Sequence, residues 1–547
     1  MTRWSMASLG GVLVAAATIG MYGSTLGYGF HYDDYHFVRP YPAAEIGASF
    51  HGPWDPAGIE VPFYRPLTIV LYAVRFHYFG VNASAYHGLS LGMFGAAAWL
   101  FGMLAWRLSS HASVGLLAAA FFVLHPSMPY AAVAWVTNQM HLLQLLVVFA
   151  ALHWWALVRA RPAAWWMPLL AFEVAALMVK EDGVMLVPVI LVLHALRRRI
   201  AEPDLPRAPL AFVLAAAGVG AAFLAFRSHA LGGIGGYHLS TIGHAWQNYR
   251  RGLETVFALQ PARRPWQLEA SWFVALLPVV ALAGWRWISP RVRFGIVAAL
   301  AAGALFNLPF IFVVKVQQLH LVAAAAAALL ASSTAGLWQI ASSRWLRPLT
   351  VGLIAAGLLL LAAVARDITR DFDPFGRIVR TTDDVVREWA AVPEELRAYL
   401  GRKTLPGAAL TLPANPADTL ETVGFGLHGW EGAPPHRYRW MSGPVAEIDV
   451  TATARRIVMP IRHEAGAFQE PAHLTVEVDG RTLDTIEMRT GDWHISDLTL
   501  RPADVPRLRR MHRVVLYLDH AWVPARIIEG SGDERTLGVQ IGELEVR

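Results

Sequence analysis

The chain has 547 residues, too many for one ordinary domain, and combines 55% hydrophobic with only 16% charged residues at a mean hydropathy of +0.40. That balance excludes an ordinary soluble protein and fits one that crosses a membrane many times. The net charge of +6 does not point to nucleic acid, because the arginines sit in short gaps between apolar runs, and the lack of cysteine excludes disulfides and thiolate metal sites.

A spanning helix needs about 20 apolar residues. The pattern predicts about eleven spans, near 5–27, 84–106, 113–127, 138–158, 163–179, 182–196, 208–226, 270–285, 294–314, 319–340 and 348–365. The apolar run of the first is long, and no small-x-small site precedes the polar stretch, so an anchored helix is expected rather than a cleaved leader. The segment 182–196 is short, and with the span before it would make a re-entrant hairpin without changing the orientation. Arg107, Arg159 with Arg161, Arg197–Arg199, Arg286–Arg293 and Arg344 with Arg347 follow the second, fourth, sixth, eighth and tenth spans. All therefore fall on one side. The positive-inside rule makes that side, and the N-terminus, cytoplasmic, and leaves the C-terminal region outside.

Unusual polar residues gather in the outer connections. The first span is followed by Asp33-Asp34 and then by Tyr64-Arg65-Pro66-Leu67. Further along come His125-Pro126, Gln139 and His141, Lys180-Glu181-Asp182-Gly183, and Lys315, Gln317, Gln318 and His320. A charge deep in hydrocarbon costs about 2.5–3.5 kcal/mol on insertion scales, so a shared outward-facing cavity is expected. Adjacent carboxylates point apart on a strand or helix. One of Asp33 and Asp34 can thus serve as a general base while the other holds a backbone, an acceptor or an ion. Arg65, Lys180 and Lys315 suit a phosphate. The bland alternative is that Asp33-Asp34 caps a helix and the cations reach for lipid headgroups. Glu173 lies mid-span and is a functional candidate on that ground, with a hydrogen-bonded structural role as the alternative. Gly232–Gly236 opens no helix after a strand, and His229, His238 and His244 lack metal-site spacing.

Asp33-Asp34, Tyr64-Arg65-Pro66-Leu67, Tyr86-His87, Leu124-His125-Pro126, Ala134-Trp135-Val136 and Lys180-Glu181, in that order, resemble the GT-C membrane glycosyltransferases. Protein O-mannosyltransferases and bacterial lipid A aminoarabinose transferases are the nearest in likeness. The motifs cover residues 5–200, and the architecture extends to 366. The resemblance implies an inverting transferase that uses a polyprenyl-phosphate sugar, with an acidic base at Asp33 or Asp34. Lys180-Glu181 matches that family's Lys-Glu pair, and with the polar residues gathered at the outer face the candidate substrate-site set is Arg65, His125, His141, Lys180, Glu181, Lys315 and Gln318. One departure is clear: where relatives carry Arg-x-Asp, this chain reads Gln139-Met140-His141.

After a polar connector (367–416), residues 417–547 change period. Leu474, Val476 and Val478 alternate with polar neighbours before an Asp479-Gly480 turn, and Val514, Leu516 and Leu518 repeat the pattern. A β-sandwich is expected. Arg439-Trp440, Trp493, Trp522-Val523-Pro524 and Leu537-Gly538-Val539 are similar to sandwich domains appended to bacterial membrane glycosyltransferases. Tryptophans left exposed there would stack on sugars, and buried ones would only pack.

The reading is therefore a polytopic α-helical membrane protein of GT-C type (1–366) with a connector and an all-β sandwich outside the bacterial inner membrane. Its partners would be a polyprenyl-phosphate sugar, a glycan, lipid or protein acceptor, and membrane lipids, with no nucleic acid. No cofactor or bound metal is expected, a divalent cation at Asp33/Asp34 staying open. A transporter of lipid-linked glycans and a non-catalytic envelope assembly protein are the alternatives. A transporter, however, would place its site near mid-membrane rather than at one face.

Overall fold

The structure is a computed structural model and describes residues 3–30, 34–55, 63–126, 128, 135–233, 242–257, 277–311, 319–341, 346–371, 422–428, 431–432, 437–451, 454–464, 471–501, 505, 511–528 and 530–547. Its contacts divide into two compact units. The first joins Met1–Leu26, Ile46–Ile69 and His87–Pro374; the second joins Gly27–Glu45, Val70–Tyr86 and Phe375–Arg547.

The helices are α1 (Arg3–Tyr22), α2 (Asp34–Phe37), α3 (Ala43–Ala48), α4 (Pro66–Phe79), α5 (Ala83–Ser109), α6 (Ala112–Val123) and α7 (Gln139–Val158). They continue with α8 (Pro168–Val179), α9 (Leu186–Ile200), α10 (Leu210–Ala230), α11 (Ile242–Phe257), α12 (277–283), α13 (Pro290–Phe306), α14 (His320–Ile340) and α15 (Leu346–Asp371). Among the described residues, seven helices are long and apolar enough to cross a membrane, and Ala112–Val123 and Ala163–Val179 are shorter apolar helices. Each of the eleven expected spans carries a helix, but several are shorter than a full crossing. Residues 270–276 of the eighth lie outside the described set. The chain is a multi-pass membrane protein.

Burial separates the centre of the bundle from its rim. In α14, 78% of the apolar window is buried, against 11% in α10. Large apolar side chains point outward instead, with Leu210 70% and Leu359 72% exposed. Water would not tolerate such a surface, whereas lipid tails are its natural neighbours. Helices α5 and α6 meet through glycine: a Cβ on Gly115 would lie 2.6 Å from the Gly102 carbonyl oxygen, so no larger residue fits.

At one end of the bundle, loops and helix ends are tied by arginine. Arg197, near the end of α9, donates to Glu202 (2.6 Å) and to the Leu108 carbonyl at the end of α5 (3.0 Å). Arg159, after α7, reaches Glu202 at 3.3 Å. The Arg197 guanidinium also lies 5.2 Å from the ring of Phe294 at the start of α13. Arg159 and Arg197, grouped on one side by sequence, thus meet in space through Glu202.

Among its described residues the C-terminal region contains ten strands: β1 (Thr422–Phe425), β2 (Tyr438–Trp440), β3 (Val445–Thr451), β4 (Arg456–Arg462), β5 (Ala472–Val478), β6 (Arg481–Met488), β7 (His494–Thr499), β8 (Met511–Leu518), β9 (Gln540–Gly542) and β10 (Glu545–Val546). They form two antiparallel sheets, ordered β1-β3-β8-β5-β6 and β10-β4-β9-β2, with β7 paired to β4. The alternation seen in sequence sets the faces. Leu474, Val476, Val514 and Leu516 meet Ile457, Met459, Leu498 and Ile541 in one apolar core. Asp479 and Gly480 both have positive φ, 52° and 80°, as a tight hairpin between β5 and β6 requires. Trp440 and Trp522 pack with Leu537 in a smaller cluster, whereas Trp493 remains 43% exposed.

Candidate active site

The opposite end of the helical bundle collects the charged residues that interrupt the apolar runs. Lys180 ends α8, His141 lies in the first turn of α7, His320 opens α14, and Arg65 directly precedes α4. Helix direction explains the convergence: α8 finishes where α7, α9 and α14 begin.

Arg65 binds Glu181 in a fork, with Nε to Oε2 at 2.9 Å and Nη2 to Oε1 at 2.6 Å. Its third side donates to Met140 Sδ at 3.4 Å, and its guanidinium lies 3.8 Å from the Phe63 ring and 4.8 Å from Trp54. A guanidinium held by three hydrogen bonds and two ring faces is fixed in direction. Burial opposes ionisation of Glu181, and the charges of Arg65 and Lys180 prevail, holding its carboxyl at about 2.

Lys180 is fully buried and donates to Asp182 Oδ2 at 3.0 Å. His320 Nε2 lies 3.9 Å from the same oxygen, and the His320 and His141 rings are 4.6 Å apart. Asp182 Oδ1 and His141 Nδ1 have no hydrogen-bond partner among the described residues. Two cations thus face two carboxylates, with spare polar capacity on one carboxylate and one imidazole.

The turn carrying this cluster is held closely. Gln144 on α7, with its amide oriented to satisfy both contacts, donates to the Ala176 carbonyl (3.1 Å) and accepts from Gly183 N–H (3.2 Å). A Cβ on Gly183 would come within 2.4 Å of the Ala176 backbone, so the Lys180–Gly183 turn lies directly on α8. Thr68 Oγ1 donates to the Val179 carbonyl at 2.9 Å, and Gln139 donates to Ser90 Oγ at 2.9 Å.

The other expected site residues are placed as follows. Asp34 is the first residue of α2 in the second unit, and its side chain is fully buried. In that same unit Arg39 is paired with Glu45, and Arg75 lies 3.9 Å from the Tyr72 ring. His125 is buried just after α6, and its carbonyl accepts from Met128 N–H at 3.0 Å. Asp33, Lys315 and Gln318 lie outside the described residues. Glu173 is buried within α8. Gly232 and Gly233 follow the end of α10, both with positive φ. Among the described residues no cluster of three or more His, Asp or Glu has the arrangement of a metal site.

Arg65, His141, Lys180 and Glu181 are brought together. Asp182 and His320 complete the cluster, and both were visible in sequence as polar breaks beside apolar runs. Ser90, Thr68 and Gln144 carried no such signal, since single hydroxyl and amide side chains are common in apolar helices.

No family model matches the chain, and no curated protein does. Among solved structures, the chain is similar to the arabinosyltransferase EmbB from Mycobacterium smegmatis. The match covers 100% of this chain and 65% of that one, at 11% identity and a TM-score of 0.30. The chain thus spans just under two thirds of that enzyme's length. At such identity and TM-score the likeness carries no weight, and the site stands on its own residues.

Proposed function

We propose that the protein is a membrane glycosyltransferase of the GT-C kind, which moves a sugar from a polyprenyl-phosphate donor to an acceptor on the side opposite the cytoplasm. The observation that carries this reading is the buried Arg65–Glu181 and Lys180–Asp182 cluster at one end of an apolar bundle. Two cations there, with unpaired polar atoms on Asp182 and His141, suit the phosphate and hydroxyls of an amphiphilic donor whose tail stays in lipid. The resemblance in the order of the sequence motifs supplies the reaction class.

The base comes from the sequence resemblance alone, which assigns a carboxylate of the first outer loop, Asp34 or Asp33, to take the proton from an acceptor hydroxyl. The freed oxygen attacks the anomeric carbon as the bond from that carbon to the phosphate oxygen breaks. The bonding pair leaves with the polyprenyl phosphate, whose growing negative charge Arg65 and Lys180 stabilise. One displacement inverts the anomeric centre. The arginine-tied end is cytoplasmic, and the sandwich lies in the periplasm on the acceptor side.

Asp34→Asn tests the assignment in a purified transfer assay with a radiolabelled polyprenyl-phosphate sugar. Loss of a general base lowers the rate by about 100- to 10,000-fold while donor binding persists. If both Asp34→Asn and the Asp33/Asp34 double variant transfer at the full rate, the base is elsewhere. If the wild-type protein only moves the intact donor across vesicles, the transferase reading itself fails.

A further inference from the structure

We propose that the solvent face of the β10-β4-β9-β2 sheet is a carbohydrate-binding platform that takes neutral pyranose units of an oligosaccharide. The alternating burial of β4 puts Ile457, Met459 and Ile461 in the core and Pro460 and Arg462 on the opposite face. On that face Tyr438 stands opposite Gly542, and Pro460 stands opposite Ile495. A Cβ on Gly542 would meet Pro460 at 3.1 Å and the Trp493 ring at 3.5 Å, so both lie over the bare strand. The Tyr438 and Trp493 ring centroids are 6.4 Å apart. Tyr438, Trp493, Pro460 and Ile495 thus form one apolar strip, with Ile495 53% exposed.

The strip is built rather than incidental. Arg462 Nε donates to the Gly491 carbonyl at 2.6 Å and anchors the loop that carries Trp493, fixing the ring without burying it. Polar groups flank the aromatic surface. One row away on β9, Gln540 pairs in register with Arg462. Its amide nitrogen faces Glu464 at 3.5 Å, while its Oε1, in a residue only 3% exposed, has no partner among the described residues. Arg437 and Glu543 form an ion pair at 2.7 Å beside Tyr438.

A pyranose matches this pattern. Its C–H face stacks on an aromatic ring, and its hydroxyls both donate and accept, so one can satisfy Gln540 Oε1 while others reach Glu464 and Arg462. Charge decides against other occupants. Each arginine here already has a glutamate, with Arg462 and Glu464 3.5 Å apart, so an anionic ligand or anionic membrane would have to displace a carboxylate, whereas a neutral sugar need not. A protein partner would need about 1,000 Å² of surface, far more than four side chains supply.

The test is tryptophan fluorescence titration of the full-length protein in detergent with mannotetraose, cellotetraose and chitotetraose. At least one should bind in the millimolar range, Trp493→Ala should weaken it about tenfold or more, and Trp493→Tyr should retain most of it. An unchanged melting profile of the alanine variant separates a lost platform from a lost fold. No binding of any of the three at about 10 mM, or binding unaffected by Trp493→Ala, overturns the proposal. Self-association that Trp493→Ala abolishes, without sugar binding, overturns it too and makes the strip a contact between copies.

Discussion

Lys180 shows what the bundle asks of a single residue. It is fully buried against Asp182, and removing one partner of a buried pair leaves an uncompensated charge worth about 3–5 kcal/mol. Asp182→Ala should therefore lower the unfolding midpoint in detergent sharply. Replacing both residues, as Lys180→Met with Asp182→Leu, should restore much of that stability and still leave transfer abolished. A double variant that transfers normally would remove this pair from the chemistry. His463 supplies a second, independent case in the sandwich. Burial, and then the neighbouring His520, lower its pKa to about 4, against an ordinary value near 6.5. Between those values the unfolded chain binds the extra proton and the folded one does not. Stability is therefore full above pH 6.5 and falls as the pH drops towards 4, by an amount on the order of 2–3 kcal/mol. Denaturant midpoints measured from pH 7.5 down to 4 should show this slope, and His463→Asn should flatten it. At this scale sequence named Arg65, His141, Lys180 and Glu181 because each breaks an apolar run. It did not pair Arg65 with Glu181 or Lys180 with Asp182, since partners across a fold depend on which helix ends meet.

Among the elements, those whose burial follows a simple period were legible. The long spans announce themselves by apolar length, and β5 and β8 by strict alternation. Helices α4 and α11 fall in stretches read as outer loops. Helix α4 has only fourteen residues, too few to span and marginal alone, so packing rather than local sequence defines it. Helix α11 is held by Asn307, which donates to the Tyr249 carbonyl at 2.7 Å, a contact no local pattern announces. The α5–α6 contact was likewise hidden among many glycines. There Gly115→Leu should push the helices apart and cost several kcal/mol, on the scale of about 1–3 kcal/mol for mild overpacking and more for a backbone clash. Gly20→Leu meets nothing within 4 Å and should be tolerated. Expression and detergent melting of the two variants compare them directly.

For the whole molecule, the arginine asymmetry was the most informative line in the sequence. Arg159 and Arg197 do converge, through Glu202. A reporter active only in the periplasm should work when fused at Arg547 and stay silent at Arg198, and the reverse pattern would invert the proposed orientation. The partition of the chain was less legible. Composition divides it near residue 366, whereas contacts assign Gly27–Glu45 and Val70–Tyr86 to the same unit as the C-terminal region. Composition sees only which solvent a segment prefers, and a polar loop prefers water whichever body it packs with.

Glu181 and Asp182 give the bundle its own resident counter-ions. In the proposed reaction a phosphate arriving at Arg65 or Lys180 would not fall into an empty positive well; it would take the place of a carboxylate already seated there. Its equilibrium affinity is therefore the difference between two good partners, and modest. The return journey would be correspondingly easy, because a tethered carboxylate stands ready to reclaim each cation as a spent phosphate departs. If the proposed transfer runs here, a site arranged in this way gives up tight capture in favour of quick clearance, and would shed its by-product without waiting for salt or water to neutralise the cations.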